Sequence, residues 1–152
     1  MSLPGTVPFA RFAVTVGTPL VVGATELGER RVVPITGGTV RGDRLTGTIL
    51  PGGTDEQLVA ADGVTQIHAR YLIRSDDGAL IRVESQGLRS GPADLMARLA
   101  KGERIDPAQV YFAAALRFET GASAYRDLTR RLFVSRGQKQ PDHVLLTVWE
   151  VT

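Results

Sequence analysis

Pro34-Ile-Thr-Gly-Gly-Thr-Val-Arg-Gly-Asp-Arg-Leu-Thr-Gly-Thr-Ile-Leu-Pro-Gly-Gly-Thr-Asp55 alternates like β-strand while carrying six of the chain's seventeen glycines, between Gly37 and Gly53. Glycines inside strands mark bulges, bends or places where another group approaches the backbone closely. The stretch therefore reads as short, strongly shaped strands rather than helix, and it decides for a β-scaffold. Two downstream segments answer it, Ala69-Arg70-Tyr71 and Arg117-Phe118-Glu119-Thr120.

Outward from this stretch, period-two alternation recurs over Phe9 to Val16, Arg30 to Thr36, Thr39 to Arg41, Leu45 to Leu50, Thr65 to Arg74, Ala79 to Gln86, Tyr111 to Thr120, Leu132 to Arg136 and Val144 to Val151. Many short strands with turn signals between them predict a sandwich or barrel in which sequence neighbours pair antiparallel. Arg41-Gly-Asp-Arg44 and Asp76-Asp-Gly78 offer the positive-φ residues of tight hairpins, while Pro51-Gly-Gly53 and Gln140-Pro-Asp142 break pairing and start loops. A helix is predicted over Pro92 to Lys101, capped by Ser90 or Gly91, with Pro92 in its first turn and Gly102 closing it. Single helical turns are predicted at Asp106-Pro-Ala-Gln109 and over Ser123 to Thr129. The fold expectation is all-β and mainly antiparallel: one domain over residues 1–152, a small closed or nearly closed barrel with a short helix and one or two helical turns.

Composition narrows the function classes. A chain of 152 residues with 43% hydrophobic content suffices for one core. Sixteen Arg and two Lys against sixteen acids leave a net charge of +2, and Arg30-Arg31 and Arg130-Arg131 are isolated, so nucleic-acid binding is not expected. The absence of cysteine removes disulfides, thiolate nucleophiles and cysteine-held metals. Two histidines seventy-five positions apart give no metal-ligand spacing, and no cofactor fingerprint is present. The apolar stretch from Phe12 to Ala24 is broken by Gly17, Pro19 and Gly23 and lacks a preceding basic cluster, so neither a secretory leader nor a membrane span is expected. A cytoplasmic protein is the expectation.

Strand faces indicate where chemistry could sit. Ile67, Ala69, Tyr71 and Ile73 share one face of their strand, and Gln66, His68, Arg70, Leu72 and Arg74 share the other. Ile81 and Val83 oppose Arg82, Glu84 and Gln86; Phe112, Leu116 and Phe118 oppose Tyr111, Arg117 and Glu119. Either the polar faces are wet, or the sheet closes so that they line a ligand cavity. Their use of Arg without Lys favours the second reading, because guanidinium suits fixed pairing with an anion.

The ordered motifs Pro34-Ile-Thr-Gly-Gly-Thr, Gly47-Thr-Ile-Leu-Pro-Gly-Gly-Thr-Asp55, Ala69-Arg-Tyr with Asp76-Asp-Gly, and Arg117-Phe-Glu-Thr-Gly121 resemble the microbial family called domain of unknown function 3237, or uncharacterised protein family 0311. The resemblance runs from about Phe9 to Val151. It implies a compact β-barrel, often oligomeric, and no particular activity. Relative to the family pattern, Glu56 replaces an aromatic, His68 an acid and Ala113 a basic residue, and Asp127-Leu-Thr129 stands for Trp-Leu-Asn. These departures suggest a ligand site that has been retuned or lost.

The candidate acid/base residues are Glu119, His68 and Asp55. Glu119 lies beside Arg117 on one strand face, where the pair is either an anion clamp with a proton carrier or a structural ion pair. His68 has a near-neutral pKa, and Asp55 follows two glycines at a loop mouth. The candidate ligand-binding residues are Arg117, Arg70, Glu84, Tyr111 and Glu56, with Arg70 and Glu84 placed to face each other across neighbouring strands. The favoured function is a barrel that binds a small apolar or aromatic ligand bearing a carbonyl or carboxylate, with cofactor-free proton transfer of isomerase, cyclase or lyase type. The alternative is a non-catalytic homo-oligomer, dimer or higher, prompted by the final strand, where Leu145 and Trp149 make both faces apolar.

Overall fold

The structure, a computed structural model, describes residues 7–152. Ten strands form it: β1 (Ala10–Val16), β2 (Leu20–Thr25), β3 (Gly28–Arg41), β4 (Gly47–Ile49), β5 (Gly53–Val59), β6 (Thr65–Ser75), β7 (Leu80–Ser90), β8 (Tyr111–Glu119), β9 (Phe133–Lys139) and β10 (His143–Glu150). One helix, α1 (Ala93–Ala100), and two 3₁₀ segments, Pro107–Gln109 and Ser123–Arg130, interrupt them.

All pairings are antiparallel, and the sheet closes because β1 pairs with both β10 and β3. Eight staves result. One is broken: β4 and β5 in turn fill the place between β3 and β6. β2 extends the barrel as an edge strand on the first half of β3, beyond the end of β1. The barrel and its antiparallel neighbours agree with the sequence reading, and the two stretches predicted as Arg30 to Thr36 and Thr39 to Arg41 are the single strand β3.

Two turns are built differently from expectation. Asp76-Asp-Gly78 is the tight hairpin foreseen, with Gly78 at φ +92° and the Ser75 N–H donating to the Ala79 carbonyl at 2.9 Å. Gly42, however, has no positive φ; its requirement is proximity, since a Cβ there would lie 2.2 Å from the Phe9 carbonyl oxygen. Gly38 combines both demands, with φ +143° and a would-be Cβ 2.1 Å from the Ala13 oxygen, where β1 crosses β3. Leu50-Pro51-Gly52 interrupt the pairing for three residues, after which β5 resumes it, so the loop predicted there is a kink within one broken stave. At α1, Pro92 occupies the N-cap rather than the first turn, with ψ 137°. Asp106 caps its 3₁₀ turn as its spacing suggests, accepting from the Ala108 N–H at 3.0 Å.

On β6, β7 and β8 the mainly apolar face points inward and the mainly polar face outward, with Arg89 of β7 a buried exception. On β6 the buried residues are Thr65, Ile67, Ala69, Tyr71, Ile73 and Ser75, and on β8 they are Phe112, Ala114, Leu116 and Phe118. One end of the barrel is plugged by aromatics, with Phe133 4.8 Å from both Phe9 and Phe118, ring centre to ring centre. The other end is different. Inward positions there carry small side chains in adjacent rows: Ala69 opposite Ser85, and Gly87 between Ile67 and Ala114, with Ser135 next. Met96 and Leu99 of α1 pack with Ile105 and Val110 as a second small core at this end.

Candidate functional site

Where Ala69, Ser85 and Ala114 are small, a cavity of about 110 Å³ opens inside the barrel, of the same order as a ~150 Å³ engineered cavity that holds benzene. Val14, Val33, Ile35, Ile67, Phe112 and Leu146 supply apolar wall. Gly17 and Pro19 of the β1–β2 link and Gln140 and Pro141 of the β9–β10 turn border it. Into this space project Asp55, Gln57, Tyr71, Ser85, Arg89 and Lys139.

Asp55 reaches the interior because β5 restarts at Gly53 in a register that pairs Asp55 with Ala69 and turns it to the buried side, next to Gln57 two residues on. Its Oδ2 accepts from Gln57 Nε2 at 2.9 Å, and Oδ1 is buried with no partner among the described residues. Burial pushes its pKa up, against the Gln57 hydrogen bond and the charge of Arg89, which pull it down. Tyr71 is 4% exposed and its hydroxyl also lacks a partner. Burial, reinforced by the charge of Asp55, raises its pKa and keeps it a phenol.

Arg89 is 6% exposed, and its Nε is a third unpartnered buried atom on this cavity. Its guanidinium stands 5.4 Å from the centre of the Phe112 ring, a cation–π contact that holds it in place. Burial lowers its pKa to about 10, with Arg31 adding to the fall and Asp55 opposing it. Lys139 is shifted downward by burial and by Arg89 and Arg31, and its Nζ donates to the Leu99 carbonyl of α1 at 3.2 Å. Arg31 is matched locally, its Nε donating to Glu29 Oε1 at 2.8 Å.

Of the eight residues singled out in the sequence, Asp55 alone lines this cavity. The other seven lie on outward strand faces, so the expectation that the polar faces line the interior is corrected. An eight-stave barrel is only wide enough for its inward side chains to fill, and burying rows of Arg and Glu there would carry a large desolvation cost. Outside, His68, Arg70 and Glu84 do come together. Glu84 Oε1 lies 2.9 Å from His68 Nε2 and 3.9 Å from Arg70, while Oε2 accepts from Arg82 at 3.2 Å. The His68 hydrogen bond foremost, followed by Arg82 and Gln86, lowers the Glu84 pKa to about 2. This carboxylate is saturated with partners and braces the wall. Arg117 pairs in register with Glu84, and Glu119 with Arg82, on the same outer face; Glu56 faces His68 there, and Tyr111 is exposed. The family departures at Glu56, His68, Ala113 and Asp127 all fall on this exterior or on the 3₁₀ segment, not on the cavity.

Arg89, Gln57, Tyr71, Ser85 and Lys139 escaped the sequence reading as site residues. The strand predicted to end at Gln86 continues to Ser90, and with that extension Arg89 falls in phase with Ile81, Val83 and Ser85 on the buried face. An arginine in an apolar phase is one available signal. The small residues Ala69, Ser85 and Ala114 on otherwise bulky faces are the other.

No helix among the described residues is long and apolar enough to cross a membrane, and they contain no cluster of three or more His, Cys, Asp or Glu able to hold a metal. Comparison with known proteins gives close and distant likenesses. A UPF0311 protein of Rhodopseudomonas palustris is 38% identical over 142 residues, 92% of this chain and 93% of that one. The crystal structure of a conserved protein of unknown function from the same organism superposes with a TM-score of 0.90 at 33% identity, covering 99% of this chain and 100% of that one. A β-barrel-like protein from Acinetobacter baumannii gives 0.85 at 34% identity, covering 100% and 99%. An enzyme from Penicillium herquei gives 0.69 at 22% identity over 100% and 99%, a likeness of fold alone. With residues 4–151 matching the family described as protein of unknown function (DUF3237), and with UPF0311 relatives along nearly its whole length, the chain belongs to that family.

Proposed function

We propose that the barrel interior binds a small apolar or aromatic molecule bearing a carbonyl or carboxylate and moves a proton on it without a cofactor. The observation that carries this reading is the convergence of three buried polar atoms without a partner among the described residues, Asp55 Oδ1, Tyr71 OH and Arg89 Nε, on one largely apolar cavity. Leaving such atoms unsatisfied costs about 1–3 kcal/mol each, a cost that a ligand oxygen or bound water relieves. Asp55, with one oxygen fixed by Gln57 and the other free, is the proton acceptor and donor. Tyr71 and Arg89 stabilise the oxygen on which negative charge develops as a carbon-bound proton leaves toward Asp55. Return of that proton to another position completes an isomerisation.

Phenylpyruvate combines an aromatic ring, a carboxylate and an enolisable carbonyl, and its keto–enol interconversion is followed by ultraviolet absorbance. The protein is expected to accelerate it above the buffer rate, and Asp55→Asn is expected to remove on the order of 100-fold of that acceleration or more. An unaccelerated reaction, or full activity in Asp55→Asn, contradicts the reading.

A second reading, self-association, is favoured by one observation. The outward residues Ala115, Val134 and Trp149 are consecutive neighbours across β8, β9 and β10, with Leu88 and Ala113 in the adjoining row and Tyr111 beyond. A second copy covering this apolar strip is compatible with a ligand inside each barrel.

A further inference from the structure

We propose that the occupant of the cavity is a monoanion, a small apolar carboxylate or an equally acidic oxygen acid, held by Arg89 and Lys139. The proposal rests on the interior-site reading above and adds the charge class of the ligand. It follows from the charges around the cavity. Arg31 is neutralised by Glu29 at 2.8 Å. That leaves Arg89 and Lys139 facing the single carboxylate of Asp55, an excess of one positive charge with Asp55 ionised and two with it protonated.

Neither cation is already satisfied. Arg89 is 6% exposed and rests on the Phe112 ring, which positions the guanidinium without neutralising it, and its Nε has no acceptor among the described residues. An ammonium has three donors, and Lys139 Nζ makes one hydrogen bond, to the Leu99 carbonyl. Buried charge is tolerated when paired, so the cavity selects a ligand that brings the missing negative charge. A neutral ligand leaves one of the two cations without a counter-ion, and a cationic one adds repulsion. A planar carboxylate matches the guanidinium fork, and the apolar wall of Val33, Ile35 and Leu146 accepts the rest of the molecule.

The test is isothermal titration calorimetry of the whole protein at pH 7 with three probes of one shape: benzoate, benzamide and benzylamine. Benzoate is expected to bind roughly ten-fold or more tightly than benzamide, with benzylamine weakest. Arg89→Met is expected to abolish the benzoate preference. Lys139→Gln, at a half-buried position, provides a second variant expected to weaken benzoate several-fold while leaving benzamide unchanged. Equal affinities for benzoate and benzamide overturn the charge assignment but leave the interior site standing. Failure of every probe to bind overturns the assignment outright, and the phenylpyruvate reaction then decides the interior-site reading by itself.

Discussion

Asp55 was reachable from sequence because a carboxylate after two glycines, opening a segment of strand, sits where backbone and ligand can approach each other. Its partners were not. Alternation sorts residues into two faces, but the sorting of Arg89 depended on knowing that β7 runs to Ser90, and Tyr71 was assigned to the apolar face without a role for its hydroxyl. The environment of Asp55 makes a prediction at this scale. Its pKa is raised on folding, foremost by burial, so the folded state holds the proton more tightly than the unfolded chain, where the value is near 3.8. The resulting stability is fully present below that value and is lost as pH rises through the elevated folded pKa. Asp55→Asn removes the loss. Its guanidinium chloride midpoint is therefore expected to exceed that of the wild type at pH 7, and the difference to shrink toward pH 3.5; a pH-independent difference contradicts this. Glu84 works in the opposite sense on the outer wall, stabilising above its ordinary 4.5 and losing that contribution as pH falls toward about 2.

At the scale of elements, the glycine-rich stretch reported closure of the barrel more than ligand binding. Gly38 and Gly42 permit β1 and its leading segment to pass close to β3, and the Pro51-Gly52 kink lets β4 and β5 share one stave. Such requirements arise from contacts remote in sequence, which is why the stretch read correctly as β but its turns did not all read correctly. β2 and β5 went unread as strands: β2 is an edge element with an exposed pattern, and β5 mixes Asp, Glu and Gln on a segment that the preceding Pro-Gly-Gly marked as loop. The outer strip across β8, β9 and β10 carries the self-association prediction. Sedimentation velocity at micromolar concentration is expected to give a dimer or larger species for the wild type and a monomer of unchanged helix and strand content for Ala115→Arg. A monomeric wild type contradicts the pairing.

For the whole molecule, the architecture was legible because it depends on the number of alternating strands and on short antiparallel links, both local properties. Which face turns inward is set by closure. Eight staves enclose too little space to wet rows of charged side chains, so apolar faces fill the interior, and hollowness arises only where side chains are small. That division gives one end packed with Phe9, Phe118 and Phe133 and another end holding the cavity with Asp55, Tyr71 and Arg89. The outer charged network around Glu84 braces the wall between them. A crystal structure of the protein grown with millimolar benzoate distinguishes a site inside the barrel from one on this outer face. Density for the carboxylate beside Arg89 and for the ring against Val33, Ile35 and Leu146 is the predicted result. An unaltered cavity, with benzoate instead against Arg82 and Arg117 on the outer wall, would contradict it.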